Sequence, residues 1–201
     1  MKKLSLITFG CLLVLASCDL MGNTSNNDNI RNANDTTNNS SGTGGSTTTW
    51  EDLTWTVADK DVATYTTKTI IGRVILYATT NASIVVDANT KTIDNLSFNY
   101  RCKLGGTGYL NTDDVEQSYR VLAIPVTKNS LIKIYAQSGT SIEDRELKLS
   151  NLSGSYFVNG IAPGSTIAKV IETTYTGDES TLYVYSMRSG INIYGIYVNK
   201  Q

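Results

Sequence analysis

The sequence contains no histidine, and it has only three cysteines and two prolines among 201 residues. Without histidine the chain lacks the base of Ser-His-Asp and Cys-His catalytic sites, which excludes both arrangements. The same absence, together with so few cysteines, argues against a zinc site. We therefore expect no catalytic residues, no metal and no cofactor.

Charge of either sign is also scarce, since 17% of the residues are charged and the net charge is −1. A surface that binds nucleic acid needs a basic face that displaces counterions from the phosphates. The near-neutral balance therefore predicts no nucleic-acid partner and no polybasic attraction to anionic lipid.

The few cysteines limit the redox chemistry of the chain. Cys11 lies in the N-terminal apolar segment and Cys18 lies just after it, which leaves Cys102 as the thiol of the folded part. An exported domain with one thiol has no internal disulfide framework. Because no histidine can activate it, we expect Cys102 to be a small buried hydrophobe and not a reactive thiol.

Residues 1–17 have the parts of a secretory signal peptide: a positively charged start, a short apolar run and small residues at the cleavage site. The apolar run, Leu4 to Leu15, is shorter than the roughly 20 residues that span a bilayer. The sequence Leu-Ala-Ser-Cys that ends at Cys18 resembles the bacterial lipobox. That resemblance implies cleavage after Ser17 and lipid, including palmitate, at Cys18.

Residues 18–49 are rich in Asn, Thr, Ser and Gly and contain almost nothing apolar. Such a segment cannot bury enough surface to become ordered, so we expect a disordered tether from the lipidated cysteine. Residues 50–201 form the predicted folded domain, which is long enough to bury a core. We expect an exported lipoprotein at the outer membrane, the cell surface or the periplasmic face of the inner membrane. Its oligomeric state is left open.

The predicted domain consists of short β-branched and aromatic runs separated by turn residues. Their spacing, and the absence of a sustained helical period, predict an all-β fold: an antiparallel two-sheet β-sandwich of jelly-roll-like type. The candidate strands are Ile70–Ala78, Ser83–Val86, Leu96–Leu104, Arg120–Val126, Leu131–Ala136, Arg145–Ser150, Ile167–Thr174, Thr181–Ser186 and Ile191–Val198.

Alternation along the strands predicts which side chains face the core. In Leu96–Leu104 every second residue is apolar and should share one side, while Leu182 and Val184 should face inward. The alternation changes phase in the last strand at Gly195, which predicts a β-bulge there. Pro125 has no N–H for a ladder, so its strand should lie at a sheet edge or carry a bulge.

Arg120 and Arg145 have the parity of the core positions in their strands. One interpretation is a structural ion pair with Asp94, Asp144 or Glu146, because a charge in a core-facing register usually needs a partner. The other interpretation is binding of a carboxylate, such as that of a uronic acid, by the guanidinium fork.

Tyrosines supply the other candidate binding residues. Those at positions opposite the core parity are mainly Tyr135, Tyr183, Tyr185, Tyr194 and Tyr197. An exposed row of tyrosines can stack on sugar rings, with Arg101 and Lys103 bonding hydroxyl or carboxylate groups. The alternative is that the tyrosines pair across strands and stabilise the sheet.

Two stretches, LSFNYRCKLGGTG at Leu96–Gly108 and YTGDESTLYVYSMRSGINIYGIYV at Tyr175–Val198, resemble a β-sandwich module of secreted bacterial pectate lyases. Shorter matching segments in the same order are VILYATT at Val74–Thr80, TIDN at Thr92–Asn95, RVLAIPV at Arg120–Val126 and DRELKLSN at Asp144–Asn151. The resemblance implies an accessory β-sandwich that binds carbohydrate or positions an enzyme. Here no catalytic domain accompanies it.

For three further motifs, a structural interpretation is favoured over a functional one. Asp113, Asp114 and Glu116 could supply a hydrolytic carboxylate pair, but their polar surroundings favour a hydrated loop. The segment Asp87–Lys91 lacks the glycine and glutamate of a calcium loop and predicts a turn. Gly105–Gly108 opens no helix, so it predicts a turn that needs positive φ or close backbone approach.

These observations predict a membrane-anchored lipoprotein with a noncatalytic carbohydrate-binding module, with acidic polysaccharide as a further expectation. A structural or adhesive surface lipoprotein that binds protein or matrix is the alternative. A small polysaccharide lyase or hydrolase is the third candidate and the least favoured.

Overall fold

The computed structural model describes residues 51–153, 157–162, 164 and 168–201. The predicted signal peptide, Cys18 and the predicted tether lie outside these residues. In chain order the strands are β1 Leu53–Thr56, β2 Ala63–Tyr65, β3 Thr69–Ile71, β4 Val74–Tyr77, β5 Ile84–Ile93, β6 Leu96–Leu104, β7 Val121–Pro125, β8 Ser130–Ser138, β9 Arg145–Ser150, β10 Phe157–Ala162, β11 Lys169–Tyr175, β12 Thr181–Ser186 and β13 Ile191–Lys200.

The strands form two antiparallel sheets. Sheet A has the order β11-β8-β13-β6-β5-β2, and β1 also pairs with β13. Sheet B has the order β10-β9-β12-β7-β4-β3. The described residues contain short 3₁₀ turns but no α-helix, and none of them forms a helix long and apolar enough to cross a membrane. The predicted all-β, two-sheet sandwich is confirmed.

The core lies between the sheets and takes side chains from both. Leu182 and Val184 face inward, as the alternation predicts, and both are fully buried. Each fully buried side chain of this size stabilises the fold by about 1.5 to 3 kcal/mol. Other residues of the same cluster are Leu76, Ile84, Leu122, Ile124, Ile132, Ile134, Ile191, Ile193 and Ile196.

The alternation in β6 holds for only part of the strand. Cys102 and Leu104 are fully buried in the core, as predicted. Phe98 instead packs with tyrosines of a separate cluster, and Leu96 is 37% exposed. The β5–β6 pairing is irregular near this point, where β5 carries an extra residue between Ala88 and Lys91.

The predicted bulge in β13 is confirmed, because the β13–β8 register shifts between Ile193 and Gly195. Glycine is required here by close packing. A Cβ atom at Gly195 would lie 2.9 Å from the ring of Phe98.

The prediction for Pro125 is wrong, because β7 lies inside sheet B between β12 and β4 and its pairing shows no bulge. Pro125 is tolerated because it is the last residue of β7. The ladder between β4 and β7 ends at Ala123, so no β4 residue pairs with the proline.

Several strands lie outside the predicted set. β1, β2 and β10 are additional, and the run Ile70–Ala78 is divided into β3 and β4. The segment Asp87–Lys91 is part of β5, so the predicted turn there is wrong. These errors share a cause, since short or polar strands have little apolar alternation to identify them.

The burial of Cys102 gives a prediction about its chemistry. Burial raises the pKa of the Cys102 thiol to about 12, against an ordinary value of 9.0. We expect iodoacetamide at pH 8 to leave Cys102 unlabelled in the folded protein and to label it in urea. Because the folded pKa is raised, the thiol's contribution to stability is complete below pH 9.0 and is lost as the pH rises toward 12. Equal labelling rates in the folded and unfolded states would contradict this.

Candidate functional site

A groove lies in sheet A where two strands share one neighbour. β13 pairs with β6 over Ile191–Ile193 and then with β1 over Gly195–Val198. Among the described strands, the first half of β6 pairs only with β5, and β1 pairs only with β13. The gap of about 390 Å³ between them, the β1–β6 groove, is lined by Thr54, Thr56, Val57, Ala58, Leu96, Ser97, Phe98, Asn99, Tyr100 and Tyr197.

The lining of the β1–β6 groove includes a strand edge. Successive side chains of a strand point to opposite faces. The consecutive residues Leu96 to Tyr100 all line the groove, so it runs along the edge of β6 and not along one of its faces. Main-chain N–H and C=O groups of this edge are therefore available to a ligand beside the side chains.

The side chains that line the groove are aromatic, aliphatic, hydroxyl or amide groups, and none carries a formal charge. Tyr197 and Phe98 supply ring surface, while Thr54, Thr56 and Asn99 supply hydrogen-bonding groups. Pockets of this size that combine ring surface with a few placed polar groups suit small, uncharged ligands.

A cluster of aromatic rings supports the groove from the outer face of sheet A. The ring centroids of Phe98 and Tyr135 lie 5.3 Å apart, and those of Tyr135 and Tyr197 lie 5.0 Å apart. Tyr135 is 3% exposed and Tyr194 only 1% exposed. These two rings therefore stabilise the sheet, as the alternative interpretation of the tyrosines holds, while Tyr197 lines the groove.

A polar row crosses the same face of sheet A, farther along β6. Asn192 of β13 lies opposite Gln137 of β8 on one side and Lys103 of β6 on the other. Asn192 is 5% exposed, and its amide oxygen has no hydrogen-bond partner. Its amide nitrogen donates to the carbonyl of Ser138 over 3.5 Å. A buried oxygen without a partner, as this one is among the described residues, costs about 1 to 3 kcal/mol.

Arg101 and Lys103 lie on this face, but their surroundings differ. Arg101 donates to both carboxylate oxygens of Asp87, at 2.6 and 3.1 Å. The hydrogen bond to Asp87 raises the pKa of Arg101. Lys103 is exposed and forms no ion pair with any described carboxylate. Lys103 is therefore the uncompensated cation of the polar row.

Arg120 and Arg145 contact loops, and neither pairs with Asp94, Asp144 or Glu146. Arg145 donates to the carbonyl of Gly190 over 2.7 Å and pairs with Glu143 at 3.3 Å. Structural ion pairing is thus right for Arg145, although the partner is a different carboxylate. The hydrogen-bond acceptors of the Arg120 side chain among the described residues are two carbonyl oxygens.

Tyr183 and Tyr185 face away from the core, as the alternation predicts, but they lie on sheet B and not beside the groove. They are 6% and 7% exposed, because residues of the loop between β6 and β7 pack over them. Leu110 and Val115 are the loop residues of this cluster. Neither tyrosine is available for stacking in this arrangement.

The structure therefore brings together three of the predicted site residues, Arg101, Lys103 and Tyr135, on the outer face of sheet A. The sequence analysis did not predict Asn192 and Gln137 as residues of this face. An amide side chain within an otherwise apolar strand could have indicated them. The threonines of β1 gave no such signal.

Two of the three acidic loop residues have structural partners. Asp114 accepts from the main-chain N–H of Glu116 and from the side chain of Gln117. Glu116 pairs with Lys68 at 2.5 Å. In the part of the chain that the structure describes, no three His, Cys, Asp or Glu side chains gather as a metal site would require.

Together, the fold and the groove define a β-sandwich with a ligand-sized, uncharged groove in sheet A, along the edge of β6. No protein-family model matches the chain, and no curated protein matches it. The module resemblance to pectate-lyase proteins stays a prediction.

Several solved carbohydrate-binding modules are similar to this chain. The CBM22-1 xylan-binding domain of Paenibacillus barcinonensis Xyn10C has 13% identity and a TM-score of 0.43, over 75% of this chain and 96% of that one. The module CBM6cm-2 of Cellvibrio mixtus lichenase 5A, in complex with cellotriose, has 16% identity and a TM-score of 0.34, over 58% and 87%. The C-terminal CBM6 of LamC from Zobellia galactanivorans has 14% identity and a TM-score of 0.30, over 75% and 100%. Similarities at this level assign neither a family nor a ligand.

Proposed function

We propose that this domain is a noncatalytic carbohydrate-binding module whose main contact with sugar is the β1–β6 groove. The groove itself is the observation that carries the proposal: about 390 Å³ with aromatic, hydroxyl and amide groups and an open strand edge. A sugar ring offers an apolar C–H face and a rim of hydroxyl groups. Ring surface beside hydrogen-bonding groups complements both features.

The absence of carboxylates from the groove lining supports a binding role over hydrolysis. Glycosidases place two carboxyl groups about 5 to 9.5 Å apart across the scissile bond. Two carboxylates contact lining residues from outside the groove: Asp59 accepts a hydrogen bond from Tyr100 over 3.2 Å, and Asp61 accepts one from the main-chain N–H of Ala58 over 2.9 Å. Neither carboxylate lines the groove itself.

The proposal extends to a preference for acidic polysaccharide, supported by Lys103. This cation lies opposite Asn192 in the ladder and has no described carboxylate partner. A uronate would meet the ammonium group of Lys103 through its carboxylate. Arg101 contributes less, because Asp87 already compensates its charge.

An array of neutral and acidic glycans, probed with the purified chain, tests this function. We expect binding to at least one polysaccharide class, with stronger binding to an acidic polymer than to its neutral counterpart. Folded protein, verified by circular dichroism, that binds no glycan would refute the proposal. Binding to matrix proteins without glycan binding would instead favour an adhesive lipoprotein.

The substitution Asn192→Leu separates the effects on binding and on stability. Because the amide oxygen of Asn192 is buried without a partner, we expect Leu to raise the free energy of unfolding by about 1 kcal/mol. Because this oxygen is closed off from solvent, we expect the same change to leave acidic-glycan binding unchanged. Urea denaturation and calorimetry measure the two quantities.

The matched control for this substitution is Asn199→Leu, which alters an exposed amide of the same strand. It should leave both quantities unchanged. If Asn192→Leu instead lowered stability, the amide would be structural.

We also propose that Cys18 carries the lipid that anchors the protein to a membrane, as its lipobox-like sequence supports. Multiple acyl chains hold a protein at a bilayer far longer than one. Cys18→Ala should abolish lipid labelling and globomycin-sensitive processing, and should move the protein out of the membrane fraction. Unchanged membrane partitioning of the variant would refute the anchor.

A further inference from the structure

We propose a second binding site at Arg120, for a single carboxylate or sulfate group carried by an acidic glycan. The site is separate from the groove. Arg120 contacts the loop that follows β6, whereas the groove lies at the start of that strand. The glycan part of this inference rests on the proposed function, and the anion part stands on the surroundings of the guanidinium.

The guanidinium of Arg120 is poorly satisfied by the protein. Its Nε donates to the carbonyl of Ser83 over 3.4 Å, and one terminal nitrogen donates to the carbonyl of Thr107 over 3.5 Å. Both distances exceed the usual range of roughly 2.7 to 3.2 Å for an N–H···O bond. No described carboxylate forms an ion pair with Arg120. The remaining N–H donors of this half-buried group are therefore available to an anion.

Arg145 shows what a satisfied arginine looks like in this protein. It donates to a carbonyl over 2.7 Å and pairs with a carboxylate. Its contact, Gly190, is near the same loop, since a Cβ atom there would lie 3.0 Å from the carbonyl of Leu104. An arginine beside these loops can therefore form short hydrogen bonds and an ion pair, and Arg120 differs because of its own position.

The local backbone is shaped around Arg120. Its φ of 52° is in the left-handed region, which costs a non-glycine residue about 1 to 2 kcal/mol. Two glycines make room for it. A Cβ atom at Gly106 would lie 2.5 Å from a terminal nitrogen of Arg120, and one at Gly108 would lie 2.7 Å from its carbonyl oxygen.

These contacts explain the glycines of Gly105–Gly108. The sequence predicted either positive φ or close backbone approach for these glycines. None of them has a positive φ, and two of them permit the close approach of Arg120. Backbone strain at a single residue persists where the surroundings impose it, and it is concentrated at ligand sites. A strained, half-buried arginine without an acidic partner is suited to bind a carboxylate or sulfate through two parallel N–H···O bonds.

Binding of polygalacturonate to variants of the full chain tests the site. We expect Arg120→Gln to weaken binding about tenfold, since charge-assisted hydrogen bonds are lost. Arg120→Lys, which keeps the charge without the planar fork, should recover part of that loss. Neutral-glycan binding should not change. The control Lys200→Gln removes the same charge from the far end of β13 and should leave binding intact.

A direct measurement distinguishes this site from the groove and does not depend on a folded variant. In NMR titrations of the unaltered full chain, inorganic sulfate and polygalacturonate should each shift the Arg120 Nε–Hε resonance saturably, while that of Arg145 stays fixed. No shift with either probe overturns the site, even where the groove binds neutral glycans. A shift with both probes, together with unchanged polygalacturonate affinity of the groove-filling variant Thr56→Trp, upholds the site and refutes the groove function.

Two other outcomes also decide against the proposal. A shift with sulfate but not with polygalacturonate overturns the glycan part, because the anion is then not carried by a sugar polymer. A lower melting temperature of Arg120→Gln with unchanged polygalacturonate affinity would show that Arg120 only joins the loops at Ser83 and Thr107.

Discussion

Thr56→Trp is expected to reduce glycan binding by more than tenfold, because the indole fills the β1–β6 groove. Thr56 is exposed, lines the groove and pairs with Gly195 of β13. A bulky ring at this position removes the space for a sugar without touching the core between the sheets. Isothermal calorimetry with the best glycan from the array measures the loss.

Thr64→Trp is the matched control, since Thr64 is an exposed threonine on β2 of the same sheet and does not line the groove. It should bind like the unaltered protein. A second pair compares Tyr197→Ala, which removes ring surface from the groove, with Tyr109→Ala, which removes a tyrosine that is 48% exposed elsewhere. If Thr56→Trp and Tyr197→Ala both retained full affinity, the sugar site would not be the groove.

Trp55→Ala should be the most destabilising of the substitutions considered. Trp55 is 3% exposed, and its indole N–H donates to the carbonyl of Ile71 over 2.9 Å. This bond joins β1 of sheet A to β3 of sheet B. Truncating a buried Trp to Ala costs about 3 to 5 kcal/mol. For a domain of this size, that loss lowers the melting temperature by about 10 °C.

Urea denaturation followed by circular dichroism measures the effect of Trp55→Ala. Trp55→Phe keeps most of the buried surface and loses the hydrogen bond, so its cost should be smaller, about 1 to 3 kcal/mol. Since β1 is one wall of the groove, Trp55→Ala should also weaken glycan binding. A cost below about 1 kcal/mol would mean that β1 is dispensable to the fold.

The alternation of the sequence predicted local features of the fold well. The inward-facing Leu182 and Val184 follow from a period of two, and the bulge at Gly195 follows from a change in phase. Both depend only on residues that are neighbours in the chain. Burial of Cys102 follows in the same way from its parity with Leu104.

The site was less predictable, because it depends on which strands are adjacent. The polar row forms because β8, β13 and β6 are adjacent. The sequence around Asn192 does not indicate that its cross-strand neighbours are Gln137 and Lys103. Tyr183 and Tyr185 illustrate the same limit. Alternation identifies the face on which they lie, but not the loop residues that cover them.

The pairing of β1 with β13 has a consequence for biosynthesis. Leu53 pairs with Val198, so this ladder joins the two ends of the described chain. Contacts of such long sequence separation form late, because a large loop must close first. While the ribosome is still making the chain, β1 has no β13 to pair with. The β1–β6 groove therefore becomes complete only after β13 has been synthesised.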